Sequence, residues 1–446
     1  MELQTKREWG IEPIPADHRR LGFWDYFVLW GDLGIGLLVL LAGSFLVPGL
    51  SLGQAFLAIL VGSVIGCALL ATAGVVGSQT GVPTMVCLRP LLGVRGSYLP
   101  TAVNVLQLLG WTVFELVIMG RAANAVSREL LGWDAYVFWT ALFAAVVILM
   151  GVGGPVAVIR QWLARYAVWA VLLTTLWLTW FLMTRHDLAA LFAKPGTGAI
   201  SFWAAVDIVI AMPISWMPLV ADYNRFARRP TPAFWGTGLG YLVANLWFYG
   251  LGAMILLASG VTQEPTGFVM AIALIAGPLA VLILLVDETD EAWADLYSTA
   301  ISIQNIFPKL PQWWLILGLG IFSFLVATIL DVTQYEEFLL LIGSVFVPLF
   351  GCLIADYFFI RGQRYEVEEL YRVGGTYWYL GGVSWVGLIA WALGILVYLW
   401  IAKGLWLGQG VPWLGASVPS FLSAGVAYLL LARLVGQPRP AVVGRQ

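Results

Sequence analysis

The stretch Val286–Ser302, VDETDEAWADLYSTAIS, sets five acids directly behind the apolar run PLAVLILLV that begins at Pro278. A carboxylate at mid-bilayer depth costs about 2.5–3.5 kcal/mol or more, and it persists where it faces a partner or a wet cavity. On a helix, Asp287, Asp290, Glu291 and Ser298 share one face roughly 100° wide, with Glu288 and Asp295 at its edge. A charge run elsewhere usually marks a solvated loop. Here Trp293, Tyr297 and the apolar alternation continue to Ile306, and the first breaker is Pro308. The stretch therefore reads as a membrane helix with a buried acidic face.

The surrounding composition agrees. Of 446 residues, 61% are hydrophobic and 11% charged, and the mean hydropathy is +0.88. Such values exclude a water-soluble domain. The net charge of −2 identifies no partner, and nothing points to nucleic acid. Cys67, Cys87 and Cys352 stand singly in or beside apolar runs, which suits small core residues and neither disulfides nor metal ligands. His18 and His186 are isolated, so no histidine cluster is available to hold a metal. No GxGD-like motif, HExxH motif or nucleophile elbow is present, so no enzyme and no cofactor is expected.

Apolar runs separated by polar breaks predict an all-α polytopic protein with twelve transmembrane spans: roughly 23–47, 53–76, 97–120, 135–152, 161–183, 201–220, 234–259, 278–305, 313–330, 337–359, 379–402 and 414–434. The segment from Glu264 to Gly277 is too short to cross and reads as a short helix on the outer face. With both termini in the cytoplasm, eighteen of the 23 basic residues fall in inner loops and five in outer ones. That asymmetry fixes the expected orientation in a plasma membrane. The polar, proline-containing residues 1–22 lack a small-residue cleavage pattern, so no signal peptide is expected to be removed.

Two spans carry breaks. In the first, LWGDLGIGLL places Gly31, Gly34 and Gly36 around Asp32 deep in the apolar run; in the sixth, AMPISWMPLVADY places Pro213 and Pro218 inside a span. The first and sixth spans are five apart. Interrupted helices at matching positions of two five-helix halves point to an inverted-repeat transporter with its sites at the breaks. The expected layout is an N-terminal segment 1–22, repeats 23–183 and 201–359, helices 11 and 12 within 379–434, and a cytoplasmic tail 435–446.

The third span adds a polar stripe. Asn104, Gln107, Trp111 and Glu115 are spaced three, four and four, and so share an arc of about 80°. Buried amides are more often interhelical hydrogen-bonding groups than ligand contacts. Glu115 is less easily assigned to packing, because no basic residue stands within a turn of it. Ser215 and Trp216 follow the sixth-span break, and either substrate contact or packing fits them. Asp222 and Arg225 read as an interfacial ion pair at the inner end of that span.

Gly110-Trp111, SWMPLVADYNRFARR at Ser215–Arg229, LRPLLGVRGSYLP at Leu88–Pro100 and DLYSTAIS at Asp295–Ser302 together resemble the bacterial nucleobase:cation symporter family, over about residues 22–361. The likeness is strongest to its hydroxymethylpyrimidine and cytosine carriers. It implies a LeuT-type fold: ten core helices in two inverted repeats, plus two more. It also implies that Trp111 stacks on a heterocycle, that Glu115 hydrogen-bonds the ring edge and that Ser215 contacts substrate. Asn104, Gln107, Trp216, Asp287 and Asp295 are the further candidates around that ligand. The family's stacking Trp in the sixth span falls on Pro213, which leaves the role of Trp216 open.

For the coupling cation, the resemblance implies backbone carbonyls near Gly31 and Gly34 and two adjacent hydroxyl positions in the eighth span. Those positions become Asp290 and Glu291, or Thr289 and Asp290 after a one-residue shift, with Asp287 close by. One carboxylate suits Na+, whereas several clustered acids favour held protons, so Na+ and H+ both stay open. An indole stacks on a flat ring and a carboxylate accepts from an amine, so acids on two spans favour an aminopyrimidine over a dione. The sequence thus predicts a monomeric symporter that imports an aminopyrimidine such as the thiamine precursor hydroxymethylpyrimidine. A cytosine, purine, allantoin or hydantoin carrier is the nearest alternative, and a cation channel is the alternative from another class.

Overall fold

The computed structural model describes residues 9–153, 168–260, 265–330, 335–403, 410–411 and 413–436. The start of the expected fifth span, the tail beyond residue 436 and the basic residues Lys6, Arg7, Arg160, Arg165, Arg439 and Arg445 lie outside them. Regular structure among the described residues is helical, apart from isolated bridges between Leu21 and Ala227 and between Leu380 and Val383.

The principal helices are α1 (Phe23–Asp32), α2 (Leu37–Ser44), α3 (Leu52–Thr80), α4 (Tyr98–Leu131), α5 (Tyr136–Gly153), α6 (Val168–Arg185), α7 (Phe202–Ser215), α8 (Val220–Asn224) and α9 (Pro230–Ser259). After them come α10 (Pro265–Ala276), α11 (Pro278–Ile306), α12 (Gln312–Ala327), α13 (Tyr335–Ile354), α14 (Trp385–Lys403) and α15 (Ser417–Val435). Among the described residues, eight helical stretches, the interrupted Phe202–Asn224 included, are long and apolar enough to cross a membrane, and α1 with α2, bent by 61°, make a ninth. Helices α6 and α12 are shorter but apolar. Helix α11 has 29 residues, about 43 Å at 1.5 Å per residue and longer than the hydrocarbon core, while carrying the acids.

Local chemistry explains the ends. Ser51 and Gln54 form a capping box at the start of α3, and the Ser201 side chain accepts from the Ala204 N–H at the start of α7. Helix α4 runs on to Leu131, past the expected edge near residue 120, and stops where Gly132 takes φ 66°. Hydropathy marks where lipid ends, and a helix that continues into water carries no such mark. Between α3 and α4, two short buried helices, Thr84–Cys87 and Arg89–Leu92, were not foreseen. The Arg89 guanidinium is buried there, donating to Asn305 Oδ1 and to the carbonyls of Leu370 and Asn305. The eleventh helix starts only at Trp385, because Gly381 and Gly382 turn the chain with φ 63° and 92°.

Helices α1, α2, α3, α7 and α9 pack as one group, and α4, α5, α11 and α12 as another, while α13 joins α7 to α14 and α15. Within the first group the backbones nearly touch: a Cβ on Gly252 of α9 would stand 1.8 Å from the Leu40 carbonyl oxygen of α2. The sixth pass lies at the centre, with 94% of its most apolar window buried. Asp207 of α7 accepts from the Ala416 and Ser417 N–H groups at 2.5 and 3.1 Å, fastening the start of α15.

At one end of the molecule the N-terminal segment crosses the helix ends. Arg225, just after α8, donates to the Gly10 carbonyl at 2.6 Å, and the Tyr371 hydroxyl donates to the Ile11 carbonyl. Gly10 also packs on the Gln304 side chain of α11, and Arg19 donates to the Ile14 and Thr80 carbonyls. Arg225 does not form the expected ion pair with the Asp222 carboxylate; its Nε donates to the Asp222 backbone carbonyl instead. The Asp222 carboxylate caps Thr84 at 2.9 Å, and the Thr84 hydroxyl accepts from the Ala221 N–H at 2.9 Å.

Candidate substrate and cation site

Both breaks form, and each exposes backbone where a regular helix would hide it. Helix α1 ends at Asp32, and α2 begins at Leu37 after an extended Gly36. Helix α7, which contains Pro213, ends at Ser215, and a 3-10 turn over Met217–Leu219 leads into α8. Between them lies a small, tightly closed cavity of about 10 Å³, room for about one water. Its walls are Leu38 and Val39 of α2, Trp111 and Glu115 of α4, Met212, Ser215 and Trp216 at the α7 break, and Glu291 and Asp295 of α11.

Aromatic neighbours orient the two indoles. Trp111 meets Tyr335 and Phe338 edge to face, at centroid distances of 5.8 and 5.2 Å, and Trp216 meets Trp30 in the same way at 6.2 Å. The Trp111 Nε1 is buried and has no partner among the described residues. The Ser215 hydroxyl donates to the Met212 carbonyl at 2.7 Å, which leaves its lone pairs to accept from a ligand. Glu115 and Asp295 set their carboxyl groups against each other, with Glu115 Oε2 buried and without a partner among the described residues. Two carboxyls in contact share a proton or divide the donors of a ligand between them.

The acids of α11 serve three places, because they lie on two stripes. Glu288, Glu291 and Asp295 are spaced three and four and point toward α2 and the cavity. Glu288 Oε2 accepts from the Leu37 N–H at 2.8 Å, capping α2 from a different helix, and a Cβ on Gly36 would stand 2.7 Å from Glu291 Oε1. The positive end of α2 thus meets two carboxylates, the pairing that a helix N-terminus favours. Asp287 and Asp290 form the second stripe and turn to Asp32 at the end of α1; one carboxylate oxygen from each of the three lies within 4.8 Å of the others.

Of the residues expected around the ligand, Trp111, Glu115, Ser215, Trp216 and Asp295 line the cavity, and Asn104, Gln107 and Asp287 do not. The Asn104 amide donates to Ser302 Oγ at 2.9 Å, and the Gln107 amide donates to Asn104 Oδ1 and to the Ser215 carbonyl at 3.1 and 3.0 Å. These amides tie α4 to α11 and hold the α7 break in place. Of the residues expected around the cation, Asp287 and Asp290 come together, whereas Glu291 faces the cavity and the Thr289 hydroxyl donates to the Val286 carbonyl at 2.6 Å. Gly31 and Gly34 serve the approach of α1 to α9: a Cβ on Gly34 would stand 2.8 Å from the Ala244 Cβ. Sequence reasoning gave Asp32 and Glu288 no role. For Asp32 the signal was an acid among three glycines inside an apolar run; the Glu288 cap carried no local signal.

A family model described as permeases for cytosine and purines, uracil, thiamine and allantoin matches residues 13–418. The chain belongs to that family. The cytosine permease of Escherichia coli K12 is 25% identical to this permease, covering 97% of the chain and 96% of the relative. The hydantoin permease of Microbacterium maritypicum is 24% identical, covering 86% and 82%. Among solved structures, Mhp1, a nucleobase-cation-symport-1 family transporter in a closed conformation with bromovinylhydantoin bound, superposes with a TM-score of 0.84 at 22% identity, covering 97% of each chain. The permease therefore has the LeuT-type fold and belongs to the nucleobase:cation symporters, and its relatives are transporters and not enzymes.

Proposed function

We propose that this permease imports an aminopyrimidine, with hydroxymethylpyrimidine as the leading candidate, in symport with a cation across the plasma membrane and with both termini in the cytoplasm. One observation carries the choice of substrate: the polar wall of the cavity is built from the carboxyl groups of Glu115, Asp295 and Glu291, with no Asn or Gln side chain among the lining residues. Carboxylates accept from an exocyclic amine or ring N–H, whereas a dione needs a side chain that also donates. Trp111 stacks on the ring, Glu115 and Asp295 take its amine edge, and Ser215 accepts from a third donor. The cation is Na+ or H+ in the reading carried by the family, and the acids of α11 stand where it binds.

The test is a binding panel on purified protein with hydroxymethylpyrimidine, cytosine, uracil, adenine, hydantoin and allantoin, each with and without Na+ across pH. Hydroxymethylpyrimidine is expected to bind best and to lose affinity in Glu115→Gln and Trp111→Ala. Preference for a dione would overturn the substrate choice. Cation conductance in liposomes without binding of any heterocycle would favour the channel reading.

A further inference from the structure

We infer that Tyr241 of α9, a residue outside the cavity lining, is a positioning residue: its hydroxyl takes a hydrogen bond to the Glu291 carboxyl group and draws that side chain aside when the cavity opens. The inference rests on reading the cavity as a ligand site, and not on which heterocycle enters it.

The cavity has to change before anything larger than water binds. A volume of about 10 Å³ admits no heterocycle, so a lining side chain must move. Trp111 and Trp216 are held by their aromatic neighbours, and Ser215 by its bond to the Met212 carbonyl. Glu291 is held less well: its Oε1 is buried and has no partner among the described residues. A buried acceptor in that condition is costly, and any motion that gives it a donor is favoured.

Tyr241 supplies the donor. It is fully buried, and its hydroxyl also has no partner among the described residues. The ring is fixed against Trp30, at a centroid distance of 6.4 Å, and against Gly34, where a Cβ would stand 3.5 Å from Tyr241 Cδ2. Glu291 meets the same link between α1 and α2 two residues further on, at Gly36. An orphan donor and an orphan acceptor thus flank one helix break, with the Trp216 indole beside the hydroxyl and the Glu291 carboxyl acting on it electrostatically. The competing groups near the hydroxyl are weaker partners: Tyr249 already donates to the Ile208 carbonyl at 3.0 Å, and the Cys67 sulfur is a poor acceptor.

Helix α9 belongs to the first helix group and α11 to the second. A bond between Tyr241 and Glu291 therefore forms as the groups shift, vacates the space that Glu291 fills and satisfies both orphans in one step. Glu115 and Asp295 remain to meet the ligand.

The test uses the full-length protein in lipid nanodiscs, with Ser215→Cys as a reporter on the cavity wall and a small water-soluble thiol reagent as the probe. The parent chain, whose three cysteines are buried, supplies the background. Labelling needs the cavity to open and needs no heterocycle. Adding Tyr241→Phe is expected to slow labelling about tenfold or more, as the loss of a hydrogen bond to a charged group predicts. The melting temperature should stay the same or rise, because the hydroxyl removed is unsatisfied while the cavity is closed. In a Glu291→Ala background, Tyr241→Phe should have no further effect. A labelling rate indifferent to Tyr241→Phe would overturn the inference, and so would a lowered melting temperature or an equal slowing in the Glu291→Ala background. Should Glu291→Ala fail to fold, the rate and melting temperature of the single variant still decide. Heterocycle binding on the same preparation separates the two readings: slowed labelling in a protein that binds no heterocycle keeps the role of Tyr241 and removes the substrate assignment, and heterocycle binding with labelling indifferent to Tyr241→Phe removes only this inference.

Discussion

Glu115 is the residue on which recognition turns. Its Oε2 has no partner among the described residues, so a donor from the ligand gains a charge-assisted bond worth about 1.5–3 kcal/mol without breaking another. Glu115→Gln is accordingly expected to weaken an amino-bearing pyrimidine about 10- to 100-fold and a dione only a few-fold, as competition binding would show. Gln107→Ala acts elsewhere. It removes the donor to the Ser215 carbonyl, and should lower stability by about 1–2 kcal/mol in denaturant titrations while altering preference among heterocycles little. The two residues share a stripe in the sequence, and spacing could not tell them apart. A stripe gives the direction a side chain takes from its helix; what stands opposite it depends on the neighbouring helices, which for Gln107 is the broken end of α7 and for Glu115 the cavity.

At the level of the element, the broken first pass depends on α11. Glu288→Ala removes the cap on Leu37 and should cost about 1–2 kcal/mol, with Glu288→Gln recovering part of it because the amide oxygen still accepts; thermal melts of the three proteins rank them. Gly36→Ala drives a Cβ to 2.7 Å from Glu291 Oε1 and is expected to weaken heterocycle binding with the protein still folded, since the Glu291 side chain, which lines the cavity, has to move. Gly252→Ala should be far more damaging, because its neighbour at 1.8 Å is the α2 backbone, and recovery of folded protein by size-exclusion would show the loss. The breaks themselves were legible, since Gly31, Gly34 and Gly36 and the pair Pro213 and Pro218 are punctuation that apolar helices rarely carry. The acidic helix was legible as one face only. Its division into a stripe toward Asp32 and a stripe toward α2 follows from packing between α1, α2 and α4, which no local pattern encodes.

For the whole molecule, hydropathy was a good guide to the passes and a poor one to where helices stop, as the continuation of α4 to Leu131 shows. The short helices at Thr84–Cys87 and Arg89–Leu92 escaped notice because each is a single turn, below the length at which periodicity can be read. Helix α10 was recognisable, because Gly277 with φ 87° separates it from α11. The N-terminal segment ties Arg225, at the end of the sixth pass, to Gln304 of α11, and Arg225 also donates to the Tyr297 hydroxyl of α11 at 3.3 Å. These contacts join the two helix groups at the face where the chain begins. Any passage that opens between the groups there has to release them first and remake them afterwards, so the fastest turnover the permease can reach is bounded by how often a dozen residues ahead of the first helix let go.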